Sequence, residues 1–356
     1  MNWLAWRQYR KQFLILTITL ALYAAVAIPT GIRFWHTYQK ALAGCVQTNT
    51  CSQLSNELLT SGWDQNLNPA LTTGGFNLMM LIILAVPFLL GTFWGAPLIA
   101  REYADGTNKL IWTQSVSRRK WLTIKLVWML IAAAIFAGIF AALTTWWSKT
   151  GNALSLNRFG TISFGMQGIV PAAYAVFAVA LGIAFGTWFK RTLLALGITL
   201  GILLAVQIVV PNVLRSHYMT PVTQTVKTSQ FGGPPQSPSS GAWVISSQIV
   251  NSKGQVFDWA NPPKECIVKG GDLPRGTNSH HSVKSISDDD KGSIGSENGG
   301  PSVRGACLSA LGYRYSVKYQ PSYRYWDFQR IETVLYLSLA VIPITATYWL
   351  VLKRDA

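Results

Sequence analysis

Residues 95–125 read G-A-P-L-I-A-R-E-Y-A-D-G-T-N-K-L-I-W-T-Q-S-V-S-R-R-K-W-L-T-I-K and join two long apolar runs through a short basic connector. Arg101, Lys109, Arg118, Arg119, Lys120 and Lys125 lie within it, opposed only by Glu102 and Asp105. Short loops dense in Lys and Arg stay on the cytoplasmic side of a membrane, so this stretch sets the orientation of everything around it. It is also the place where an otherwise intramembrane chain can receive work from a soluble partner.

The rest of the chain is mostly membrane by composition. Half of the 356 residues are hydrophobic, 15 are Trp, and charged residues make up 12%. A soluble domain of this length carries about twice that charged share. Six runs reach the ~20 apolar residues that a hydrocarbon core demands: 13–32, 76–99, 122–147, 168–189, 192–213 and 332–352. The first follows a basic segment, W-R-Q-Y-R-K-Q, as a secretory signal does. Phe13 to Ile32 is too long for that, and no small-x-small site closes it, so it is read as a retained helix. Residues 1–12 mix Trp3, Leu4, Trp6 and Tyr9 with Arg7, Arg10 and Lys11. They suit either a short interfacial helix or ordinary flanking anchors.

With both termini inside, the cytoplasmic pieces are 1–12, 100–121, the turn at 189–191 and 353–356, and all are basic. The net charge of +16 then reflects in large part a rim facing anionic lipid and calls for no nucleic acid. Residues 33–75 and 214–330 fall outside. The four cysteines follow the same map: Cys45 and Cys51 in the first outer loop, Cys266 and Cys307 in the last. An oxidising compartment fits two disulfides, and proximity pairs Cys45 with Cys51 and Cys266 with Cys307 among three possible pairings. No metal site is read from them, because the spacing is not of the C-x-x-C kind.

Residues 214–330 are long enough for a domain. F-G-G-P-P-Q-S-P-S-S-G is linker-like, and Trp243–Val250 with 255–259 around N-S-K-G predicts a hairpin. Tyr313, Tyr315, Val317 and Tyr319 alternate with polar residues, which predicts a half-buried strand. Tyr323, Tyr325, Trp326 and Phe328 suit an aromatic belt at the membrane surface ahead of the last span. The fold class is thus an all-α polytopic membrane protein of six transmembrane helices. A small, β-containing, disulfide-bonded ectodomain stands between helices five and six. The divisions are 1–12, 13–213, 214–330 and 331–356.

Catalytic residues are not found. G-x-x-x-x-G-K-[ST], H-E-x-x-H and G-x-S-x-G are all absent, so the chain has no standard cradle for ATP phosphates. Ionisable groups in the spans are confined to positions near their ends, Lys125 and Glu332. A proton relay or an ion-coupled carrier places them deeper. Gly182 and Gly186, and again Gly197 and Gly201, form G-x-x-x-G spacings that permit close helix packing. In the connector, Asp105-Gly106 makes a turn, Leu110, Ile111 and Trp112 form an apolar cluster, and Ser117 is placed to cap the third span. The cluster fits a partner's groove, or it lies flat on the inner leaflet.

The run from Gly95 to Leu122 resembles the ABC-2-type exporter permeases, particularly those of actinobacteria. W-V-I-S-S-Q-I-V-N-S-K-G and Y-Q-P-S-Y-R-Y-W-D-F-Q-R-I-E near the far end extend the likeness. The resemblance implies six helices per subunit, a homo- or heterodimer in the bacterial cytoplasmic membrane, and separate ATPase subunits docking on the connector. ATP and Mg would be bound by those subunits, and this chain would hold no cofactor. Arg101, Glu102, Gly106 and Thr107 match the family's R-E-x-x-x-G-T element, with Leu110, Ile111, Trp112 and Gln114 on its coupling helix. The family's drug-exporting members often have short outer loops, and this chain departs from them there. The rival expectation is a non-transporting receptor or transducer that displays the ectodomain.

Overall fold

The computed structural model describes residues 2–48, 88–104, 117–149, 158–227, 241–257, 308 and 311–354. The chain divides into two compact units, one comprising Met1–Thr220 with Ser322–Ala356 and the other Pro221–Pro321.

The first unit is helical. α1 runs Asn2–Thr48, a π-helical segment Leu90–Gly95 leads into α2 at Ala96–Ala104, and α3 spans Arg118–Trp147. A short α4, Thr161–Met166, precedes α5 at Val170–Phe189, α6 at Thr192–Val209 and, after the second unit, α7 at Tyr325–Trp349. Among the described residues, five helices are long and apolar enough to cross a membrane. Of the second predicted span, residues 76–87 lie outside the described residues, and the remainder is helical up to Ala104.

α1 corrects the expected end of the first span. Sequence reading stops it at Ile32 and begins an outer loop at Arg33, whereas the helix continues to Thr48, 47 residues in all. At 1.5 Å per residue that is about 70 Å, more than twice the hydrocarbon thickness. Cys45 therefore sits on a helix and not in a loop. The reason is local packing around Pro29. Thr30 Oγ1 donates to the Val26 carbonyl at 2.7 Å and accepts from Trp147 Nε1 at 3.1 Å. Gly31 lets the Trp146 ring of α3 lie against the backbone, only 2.8 Å from where a Cβ would stand. Held on that side, the helix passes its proline without ending.

Prolines also mark two of the π-helical turns. Leu90–Gly95 ends just before Pro97, and Val210–Leu214, which prolongs α6, contains Pro211. Proline leaves a carbonyl one turn back without its donor, and a widened turn re-pairs the neighbouring backbone where no water is at hand. Ala96 N–H accordingly donates to the Gly91 carbonyl, five residues back. Hydroxyls on the spans are satisfied the same way: Thr17, Thr19 and Thr37 each donate to the carbonyl four residues earlier.

α5 is the centre of the unit, with α2, α3, α6 and α7 against it and α1 packed on α3. Its side chains are buried nearly throughout, and Tyr174 donates to the Leu203 carbonyl of α6 at 2.9 Å. Lys190 ends it in the left-handed conformation, φ 53°, and two residues suffice to start α6.

The second unit contains an antiparallel sheet in the order β1-β3-β2, with β1 Val222–Lys227, β2 Trp243–Val250 and β3 Arg314–Gln320. Val222 faces Tyr319 and Trp243 faces Gln320. β3 is the predicted strand, shifted by one residue, and its Tyr315 and Val317 enter a core with Ile249, Phe257 and Leu308. The predicted hairpin forms only in part. The Asn251–Gly254 turn is present, with Gly254 at φ 79°, but Val256 makes a single bridge to Val250, and β2 pairs with β3.

Candidate functional site

The connector enters from α2. Arg101 and Glu102 lie in that helix's last turn, while Gly106, Thr107, Leu110, Ile111, Trp112 and Gln114 fall outside the described residues. The chain is described again at Ser117, whose side chain accepts from the Lys120 amide at 3.4 Å and caps α3. Both flanks are fixed by cations over rings. Lys190 lies 4.9 Å from the centre of the Tyr103 ring, and the buried Lys125 stands 4.6 Å from that of Trp121. Thr123 and Tyr348 share a hydroxyl bond at 2.7 Å, tying α3 to the end of α7.

Behind the connector, the π segment and α2 meet α5 backbone to backbone. A Cβ on Gly182 would run into the Gly91 carbonyl oxygen, and one on Gly186 into that of Ala96. From the other side, a Cβ on Gly95 would stand 2.7 Å from the Val179 carbonyl oxygen. Sequence reading finds Gly182 and Gly186 but not their partners. Gly91 and Gly95 have the same four-residue spacing immediately ahead of the connector, so the signal is present in the sequence. A Cβ on Gly197 or Gly201 would meet nothing within 4 Å.

The other end of α5 carries a polar node that sequence reading misses almost entirely. Gln329 of α7 accepts from the Ile169 and Val170 amides, each at 3.1 Å, and so caps α5. Its Nε2 lies 3.2 Å from the Phe164 carbonyl, 3.1 Å from that of Gln167 and 3.0 Å from the Tyr325 hydroxyl. Gly168 has φ 72°, and a Cβ there would be 2.6 Å from Gln329 Oε1, so glycine alone fits beneath the amide. One turn further along α7, Glu332 receives Arg215 in a two-pronged pair, Nε to Oε2 and Nη2 to Oε1, both at 3.0 Å. Each side chain is 1% exposed. Nη1 donates to the Phe159 carbonyl at 3.3 Å, and the guanidinium lies 4.0 Å from the Phe164 ring centre. Burial first, and the Glu332 charge second, push the adjacent Tyr218 phenol well above its ordinary range.

Arg215 stands at the edge of the outer segment by hydropathy, yet it folds with the helices. Tyr325 and Phe328, expected in a surface belt, are buried in this node, while Tyr323 and Trp326 remain exposed. Among the described residues, no group of His, Cys, Asp and Glu is placed to hold a metal ion. The side chain of Cys45, and Cys51, Cys266 and Cys307 entirely, lie outside the described residues.

The arrangement defines a multi-pass helical membrane protein with a basic connector between α2 and α3. A family model described as "ABC-2 membrane transporter related" matches residues 17–215, more than half of the chain, and the protein belongs to that family. The match ends at Arg215, so α7, with Gln329 and Glu332, lies beyond it. Comparison with curated proteins and with solved structures gives no match.

Proposed function

We propose that this chain is the permease subunit of an ATP-binding-cassette exporter in a bacterial cytoplasmic membrane. It crosses the membrane six times, with both termini inside and 214–330 outside, and pairs with a second permease subunit. Separate ATPase subunits bind ATP and Mg and dock on the connector, with Arg101, Glu102, Gly106, Thr107, Leu110, Ile111, Trp112 and Gln114 forming the joint. The observation that carries this reading is the family match together with the seating of the connector's entry helix on α5. With no side chain between the two backbones, a push on α2 has no rotamer in which to dissipate.

The test is purification from membranes with a co-expressed ATPase subunit. The isolated chain is expected to bind no ATP, since it lacks a phosphate-cradling loop, and the complex to hydrolyse it. Hydrolysis should vanish when the ATPase's phosphate-loop lysine is replaced. Tight nucleotide binding by the chain alone, or a stable chain that recruits no ATPase, would favour the receptor reading.

A further inference from the structure

α5 is gripped near both of its ends. Toward its C-terminus, Gly182 and Gly186 bring it into backbone contact with the π segment and with Ala96 at the start of α2. Toward its N-terminus, Gln329 holds Ile169 and Val170 by their amides and Phe164 and Gln167 by their carbonyls. In an apolar bundle no water competes for these bonds, so the amide fixes α7 to the start of α5 in one register. Three residues on, Glu332 binds Arg215, which stands at the end of α6's prolongation and donates to Phe159. Buried ion pairs are commonly no more stabilising than an apolar pair of the same volume, and register is their best-attested use. Here the register is that of the chain as it leaves for the second unit, at Thr220, and as it returns, at Ser322.

We propose that α5 is the strut that carries displacement of the connector to this far node. Gly182 and Gly186 form its inner grip, and Gln329 is the positioning residue at its outer end. The proposal rests on the permease reading. It assigns a role to three residues outside the connector and predicts where the nucleotide state is felt: at the Gln329 cap on Ile169 and Val170, at the opposite end of α5 from the glycine contact.

Hydrogen exchange of the permease–ATPase complex tests it, comparing the nucleotide-free state with one trapped by ATP and vanadate. The Ile169 and Val170 amides, which Gln329 accepts from, should change exchange rate about threefold or more between the two states. Gly186→Ala, which forces α2 off α5, should abolish that difference while hydrolysis continues. Gly201→Ala, with open space around it, should keep the difference. A wild-type complex that hydrolyses ATP with no change at 167–170 overturns the proposal, whatever becomes of the Gly186 variant. So does a difference of wild-type size in Gly186→Ala. Failure to recruit any ATPase is seen before exchange is measured, and it removes the permease reading and the strut together.

Discussion

α5 and α6 are neighbours of similar length and similar apolar content, and each carries a G-x-x-x-G pair, yet the two pairs do opposite things. Gly182 and Gly186 are pressed against the backbone of α2 and the segment before it, whereas Gly197 and Gly201 face open space. α6 buries only a thin seam, Ala195, Thr199 and Leu203, four residues apart, and leaves Leu193, Leu200, Leu204 and Ile208 exposed. The spacing alone says that a helix can be approached closely. Only the neighbour decides whether it is.

That contrast is broken most severely at the node where α6's prolongation meets α7. Arg215→Met leaves the Glu332 carboxylate buried without its cation and should cost about 3–5 kcal/mol, read as the thermal unfolding of the purified chain in detergent. Adding Glu332→Leu should return most of that stability, because an apolar pair needs no desolvation. If the double variant stays as unstable as the single one, the loss reflects packing and not the stranded charge. Next in size, Gly186→Val adds a Cβ and two methyl groups where the Cβ alone already meets the Ala96 carbonyl oxygen, an overpacking of about 2–3 kcal/mol. The same change at Gly201 should shift the transition by no more than about 0.5 kcal/mol, the range of substitutions that touch nothing. Equal losses at the two positions would abolish the distinction between α5 and α6. Ser117→Ala removes the cap of α3 and should cost about 1 kcal/mol, with Ser117→Asp restoring it.

Much of the scaffold was legible because hydropathy and period report burial directly. The C-terminal ends of α3 and α5, the start of α6, the Ser117 cap and the alternation of β3 are local signals, and the structure agrees with them. The continuation of α1 through Pro29 was not, because it depends on Trp146 and Trp147 more than 100 residues away. β1 reads V-T-Q-T-V-K, too polar to announce a strand, and it forms because β3 offers it an edge. Gln329 and Arg215 are single polar residues whose meaning lies in what they meet. The connector residues from Gly106 to Gln114 rest on local composition and on resemblance, with Arg101 and Glu102 at the end of α2.

Whether an ATPase takes hold of this connector is read from recovery of the ATPase subunit with the Trp112→Ala variant. Trp112 lies outside every predicted span, so insertion and folding should match wild type. A tryptophan filling a partner's groove contributes about 2–4 kcal/mol, a loss of roughly thirtyfold or more in affinity. The ATPase should dissociate from the variant, or stay bound with its hydrolysis no longer responsive to the permease, while Lys284→Ala, in the segment 214–330 expected on the other side of the membrane, should change neither. Wild-type recovery and wild-type hydrolysis with Trp112→Ala would contradict it and leave the connector resting on lipid.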